Sequence, residues 1–268
     1  MNLYSRIKGI ANRGRSLVVV SSAFAATALF TTSCQDFLDV GSNTVVDANG
    51  NHLSSARDSI YSVIGILNKM QAIADRTVLL GEARGDLVDI TNYTQKDLRE
   101  LATFTMSEGN KYNSPREYYA IINNCNYFIK NVNTEMKNNR GDNVFLNEFA
   151  VVKAVRAWTY LQLVTTYGEV PFITEPILTK EDGDLAYADN GNRKNIQQVC
   201  DYFLNEDGLQ DLAAKLADTY PPSPYPYYGD IKGTPSRLFY IQLNLILGDL
   251  YLWRASFTNS QDDYLKAA

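Results

Sequence analysis

The chain has 268 residues, with 25 basic and 30 acidic side chains, a formal charge of −5 and one histidine, His52. An acidic balance without a basic cluster excludes nucleic acid as a partner, because phosphate binding is driven by grouped Lys and Arg. One histidine and three widely separated cysteines leave no zinc-ligand spacing, so neither a metal nor another cofactor is expected.

The first 33 residues read as a signal peptide. Arg6, Lys8, Arg13 and Arg15 precede an apolar run from Leu17 to Phe30, and no acidic residue occurs before Asp36. That run is shorter than the roughly 20 residues a spanning helix needs. A basic opening, a short apolar core and a small-residue exit are the marks of a secretory signal. Thr31-Thr32-Ser33-Cys34 then resembles a lipobox, which makes Cys34 the site of lipid attachment and the first residue of the mature chain. Residues 34–53 are expected to be a lipidated tether, and residues 54–268 a helical domain. Losing four basic residues with the signal moves the formal charge from −5 to −9.

Helical periodicity dominates the remainder. From Ser55 to about Asp75, Ile60, Ile64, Leu67 and Ile73 recur on one face with Val63 and Met70. Ser114-Pro115-Arg116-Glu117 predicts a capped helix start with a capping box. The stripe Tyr118, Ile122, Cys125, Ile129, Val132 and Met136 follows, with Cys125 a buried thiol. A helix from Glu148 to Tyr167, ended by Gly168, carries Val151, Val155, Trp158, Leu161 and Val164 on one face. Ala150, Ala154 and Ala157 form a small-residue flank, which predicts packing on two sides. Glu169 to Ile173 is expected to be extended. Weaker helices are placed at Ile196–Leu204 and Leu209–Ala217.

Tyr220 to Asp230 holds four prolines and four tyrosines and is expected to be a rigid exposed loop. Thr234-Pro235 suggests the start of a final strong helix reaching about Ala255. This helix is apolar nearly all round and therefore expected to be buried on most sides, Trp253 included. Within it, Leu247-Gly248-Asp249-Leu250-Tyr251 matches part of a tetratricopeptide helix, with Asp263 to Ala268 as the start of its partner. A repeat without its next neighbour exposes an apolar face, so the domain is expected to be incomplete at its C-terminus. The fold class is all-α, with tetratricopeptide-like helix pairs and long irregular loops.

Four segments together resemble the SusD/RagB family of outer-membrane nutrient-binding lipoproteins. They are Ser33 to Asp39, Leu80-Gly81-Glu82-Ala83-Arg84-Gly85-Asp86, Tyr119 to Asn126, and Ala154 to Pro171. The last is the most specific, with Arg156-Ala157-Trp158, Tyr160, Gln162-Leu163 and a Tyr167-Gly168-Glu169-Val170-Pro171 ending. The resemblance implies a surface-exposed lipoprotein anchored in the outer membrane. Such a protein captures oligosaccharides, or in some members peptides, for a TonB-dependent (SusC-like) transporter barrel. A structural helical-repeat lipoprotein of the envelope, without a ligand, is the alternative class.

Candidate ligand-binding residues are Tyr220, Tyr225, Tyr227 and Tyr228 in the proline-rich loop, by their exposure. Asn92 and Tyr93 join them because their segment resembles the family's binding-side loop. Glu82, Arg84 and Asp86 are expected to form an ion-pair network. No catalytic residue is expected: there is no G-x-S-x-G, no H-E-x-x-H and no phosphate-binding glycine loop.

Overall fold

The protein is described from a computed structural model that covers residues 53, 56–188, 190–216, 230–231, 234–235 and 240–268. Cys34, His52 and the loop tyrosines Tyr220, Tyr225, Tyr227 and Tyr228 lie outside the described residues. Leu53 to Ala268 forms one compact unit, and its described part is all-α.

The helices are α1 (Ala56–Met70), α2 (Ala74–Glu82), α3 (Lys96–Ala102), α4 (Arg116–Asn131), α5 (Leu146–Tyr167), α6 (Lys180–Ala188), α7 (Ile196–Asn205), α8 (Leu209–Lys215), α9 (Leu243–Thr258) and α10 (Gln261–Ala267). The described residues also form two short antiparallel pairs. In the first, β1 (Val170–Pro171) pairs with β2 (Arg193–Lys194); in the second, β3 (Asp230–Ile231) pairs with β4 (Thr234–Pro235).

The spine is α5, about 33 Å long at 1.5 Å per residue. Ala150, Ala154 and Ala157 are fully buried, as are Val151, Val152 and Leu163. Helices α1, α4, α7, α8 and α9 all pack against it. Gly168 ends it with φ of +75°, a conformation that favours glycine, and its N–H returns to the Val164 carbonyl at 3.0 Å. The next residues leave as the extended β1, and Phe172 just after it packs among Tyr160, Tyr202 and Phe203.

The buried Arg156 and the partly buried Lys153, one turn apart on α5, fix its neighbours. Arg156 donates to Asn126 Oδ1 on α4 at 2.9 Å and to the Asp207 carboxylate at the α7–α8 corner. Lys153 Nζ also reaches Asp207, 3.3 Å from Oδ2. Asn126 in turn donates to the carbonyls of Ile173 and Glu175, at 2.9 and 3.2 Å. Tyr160 completes the clamp, its hydroxyl donating to Ile173 O at 2.8 Å and accepting from Ile173 N at 2.7 Å.

Several boundaries differ from the sequence reading. Ser114 does not close a capping box. Pro115 occupies the cap position, and the Ser114 carbonyl instead accepts from Arg76 Nη1 at 2.7 Å. Helix α4 stops at Asn131, and Val132 turns extended at ψ 134°, so Met136 is not on its stripe. Thr234-Pro235 is a strand, not a helix start; α9 begins only at Leu243. Nor is α9 buried on most sides. Leu243, Ile246, Leu250 and Ala255 face the core, whereas Leu245 is 69 % exposed, Trp253 40 % and Phe257 51 %. Trp158 is partly buried against the core.

The pair α9–α10 forms as expected of a helix hairpin. Gly248 allows close approach: a Cβ there would sit 3.3 Å from the Ala267 carbonyl. Arg254 locks the pair through two bonds to Asp263, at 2.7 and 2.6 Å. Cys125 and Cys200 are both buried and unpaired, and burial pushes each thiol up to about 12. Iodoacetamide should therefore leave both unmodified in the native mature chain and alkylate both after denaturation, as read by mass spectrometry.

The Arg156 cluster yields an ordering of stabilities. Asp207→Asn leaves the buried Arg156 and the partly buried Lys153 without their acid, whereas Arg156→Met leaves an acid still held by Lys153. Breaking a buried pair costs about 3–5 kcal/mol, so urea unfolding should place Asp207→Asn in that range and Arg156→Met below it. The reverse order would mean that the cluster is not organised around the carboxylate.

Candidate functional site

Two surfaces combine exposed aromatic side chains with fixed polar groups. The first is carried by α3 and the loops on either side. It rests on a small separate core of Leu80, Ala83, Leu101 and Tyr112. Arg76 ties this core to the main body. Its guanidinium donates to Ser114 O, to Lys111 O at 3.0 Å and to the Tyr167 hydroxyl at 3.3 Å.

Adjacent residues of α3 pin the two loops. Arg99 Nη2 donates to Thr91 O at 2.9 Å and to the carbonyls of Asn92 and Thr94 at 3.4 Å. The loop is also closed internally, Thr91 N donating to Thr94 Oγ1 at 2.8 Å. This holds Tyr93 outward, 96 % exposed, beside the exposed Asn92. On the other side, Glu100 Oε2 accepts from Ser107 N at 3.1 Å, Ser107 Oγ at 2.8 Å and Asn110 Nδ2 at 3.0 Å. The Asn110 and Ser107 hydrogen bonds hold the Glu100 carboxyl down, from an ordinary 4.5 to about 2.

Phe104 lies in that second loop at φ of +56°, a left-handed conformation for a residue with a Cβ, and is 74 % exposed. Such a backbone costs roughly 1–2 kcal/mol and is held by Thr105 N donating to Glu100 O at 2.9 Å. Sequence reasoning missed Phe104, because nothing in Thr103-Phe104-Thr105 signals a left-handed residue.

The expected Glu82–Arg84–Asp86 network is not formed. The chain leaves α2 in a tight turn, and Arg84 Nε donates back to Leu80 O at 2.6 Å. The C-terminal carbonyls of a helix attract a cation, and here they hold the guanidinium that the carboxylates were expected to take.

The second surface is a cleft of about 690 Å³ between the start of α4, the exit of α5, β1, β2 and α6. Its floor is Ile122, Asn126, Val170 and Ile173; Tyr119 and Tyr187 form one wall, and Arg116, Glu169 and Arg193 stand at its rim. The Tyr119 and Tyr187 rings meet edge to face at 5.5 Å, and Tyr119 donates to Pro171 O at 2.8 Å. Burial raises both hydroxyls above the usual tyrosine value, Tyr119 more strongly. Among the described residues, no group of three or more His, Cys, Asp or Glu is placed to hold a metal ion. No described helix is long and apolar enough to cross a membrane.

No family model, curated protein or solved structure matches this chain.

The hydrogen bonds to Glu100 set a pH dependence. A folded value below the ordinary one means that the contribution is complete above about 4.5 and is lost as pH falls toward about 2. The Glu100 carboxyl carbon should titrate by NMR with a midpoint near 2. A midpoint at the ordinary value would mean that the 103–110 loop is not held by it.

Proposed function

We propose that this chain is a lipid-anchored surface protein that captures oligosaccharides and passes them to a TonB-dependent transporter barrel, performing no chemistry of its own. The observation that carries the binding role is Tyr93, a ring open to solvent on a loop that Arg99 has already fixed. Binding costs less when the recognising groups need not be ordered first. A flat aromatic face beside the Asn92 amide supplies what a sugar requires, an apolar surface for one ring face and a polar group for its hydroxyls.

The anchoring and the partner rest on the sequence. The basic and apolar opening before Cys34 supports export and lipidation, and one acyl chain alone binds membranes only marginally, so several would be needed. The Arg156 to Pro171 motif supports the family resemblance, from which the transporter partner is taken.

Affinity electrophoresis through gels containing soluble polysaccharides tests the binding role. Tyr93→Ala should lose about tenfold in affinity for whichever polysaccharide retards the parent chain, the size of one dominant aromatic contact. Equal retardation of the variant would remove Tyr93 from the site. A tagged pull-down from gently solubilised outer membranes tests the partner: a large β-barrel in near-equal amount is expected, and recovery of the chain alone would count against it.

A further inference from the structure

We propose that the cleft beneath Tyr119 and Tyr187 is a second binding site, one that takes a small aromatic carboxylate. The cleft shares no residue with the Asn92–Tyr93 loop, so the proposal stands independently of the glycan reading. Its volume, about 690 Å³, lies within the roughly 300–1,000 Å³ of small-molecule sites.

The class of ligand follows from which polar groups are already engaged. Asn123 gives both ends of its amide to Ile177, donating to the carbonyl at 2.9 Å and accepting from the N–H at 2.7 Å. Asn126 is engaged with Arg156 and two carbonyls, and Tyr119 with Pro171 O. Glu169 stands against Arg193, Oε1 lying 3.6 Å from Nε, and Arg193 Nη2 also donates to Glu169 O at 2.6 Å. What remains is the Arg116 guanidinium and the Tyr187 hydroxyl, neither of which has a hydrogen bond or ion pair among the described residues, and the Ser114 hydroxyl, which accepts from Arg116 N at 3.4 Å but does not donate.

Three free polar groups at one side of a largely apolar lining are too few for a pyranose, whose hydroxyls would be stripped of water without replacement. They do suit a ligand with one polar end. An unpaired guanidinium presents a fork to a carboxylate, and the two rim arginines exceed the single rim glutamate by one positive charge. The edge-to-face tyrosine pair forms a corner in which a third ring can stack or abut.

Calorimetry on the full chain with 3-phenylpropanoate, 3-phenylpropanamide and glucuronate tests this. The acid should bind saturably at one site, and the amide about tenfold or more weakly, since one charge-assisted contact is worth at least that factor. Arg116→Gln should weaken the acid by a similar factor and leave the amide unchanged, whereas Tyr187→Ala should weaken both. Arg116 is exposed and unpartnered, so its variant should melt with the parent chain. If it does not, the acid–amide ratio on the parent chain decides. Equal affinity for acid and amide, no saturable binding of the acid, or tighter binding of glucuronate would each overturn the proposal.

Discussion

A guanidinium inside a protein must be met by partners, because taking an ion out of water costs several kcal/mol even after relaxation. Arg156 lies 3 % exposed in the middle of α5, the longest of the described helices, and its partners come from two other parts of the chain. Asn126 is on α4 and Asp207 at the corner between α7 and α8. Sliding any of these elements by a turn would strand a charge, so apolar packing that is tolerant of register becomes packing with one register. The effect extends outward through Asn126, whose amide holds the strap at Ile173 and Glu175. The floor of the cleft is thus set by a charge buried beneath it.

Arg76 is a second buried cation and works by a different route. It has no carboxylate; its partners are two backbone carbonyls and the Tyr167 hydroxyl, with the Tyr112 and Tyr118 rings 5.9 Å away. Arginine suits this better than lysine, because its planar donors divide between separate acceptors while the faces of the ion lie against rings. The contact also explains the missing capping box. The Ser114 carbonyl is taken by Arg76 and by the Tyr167 hydroxyl at 3.2 Å, and the Ser114 side chain adds only a 3.4 Å bond from Arg116 N, so tertiary contacts do most to position the chain there.

Long periodic segments were legible in the sequence because one energetic term dominates them. For α4 and α5 the apolar spacing marks both the helix and most of its buried face, and Gly168 marks a stop that only its backbone makes easy. Helices α3 and α6 carry no such stripe. They are short and polar, supported by local pairs such as Lys96–Glu100 at 3.4 Å and Lys180–Asp184 at 2.9 Å, and α6 buries no side chain. Helix α9 fails in the opposite direction. Its composition announces burial all round, but composition reports how much apolar surface exists, not whether anything covers it. Leu245, Leu252, Trp253 and Phe257 are exposed. Pro235 misled for a related reason, since the fixed φ that suits a first helical turn is equally at home in a short strand.

The candidate binding surfaces were only half legible. Asn92 and Tyr93 could be named, but not the reason they are presented, which lies seven and six residues later in Arg99. A guanidinium that collects three carbonyls and a carboxylate that collects three donors sit next to each other on α3, each closing the loop on its own side. No spacing rule predicts this, because carbonyls and amides are available at every position and the side chain chooses among them only in the folded chain. The same holds for the cleft. Tyr119, Tyr187, Arg116 and Arg193 are spread over three elements, α4, α6 and β2, that meet only once Asn126, Tyr160 and Gly168 have turned the segment after α5 back across α4. The candidate surfaces are therefore tertiary features built on local helices: sequence periodicity supplies the rods, and a few polar side chains decide which aromatic rings are left facing water.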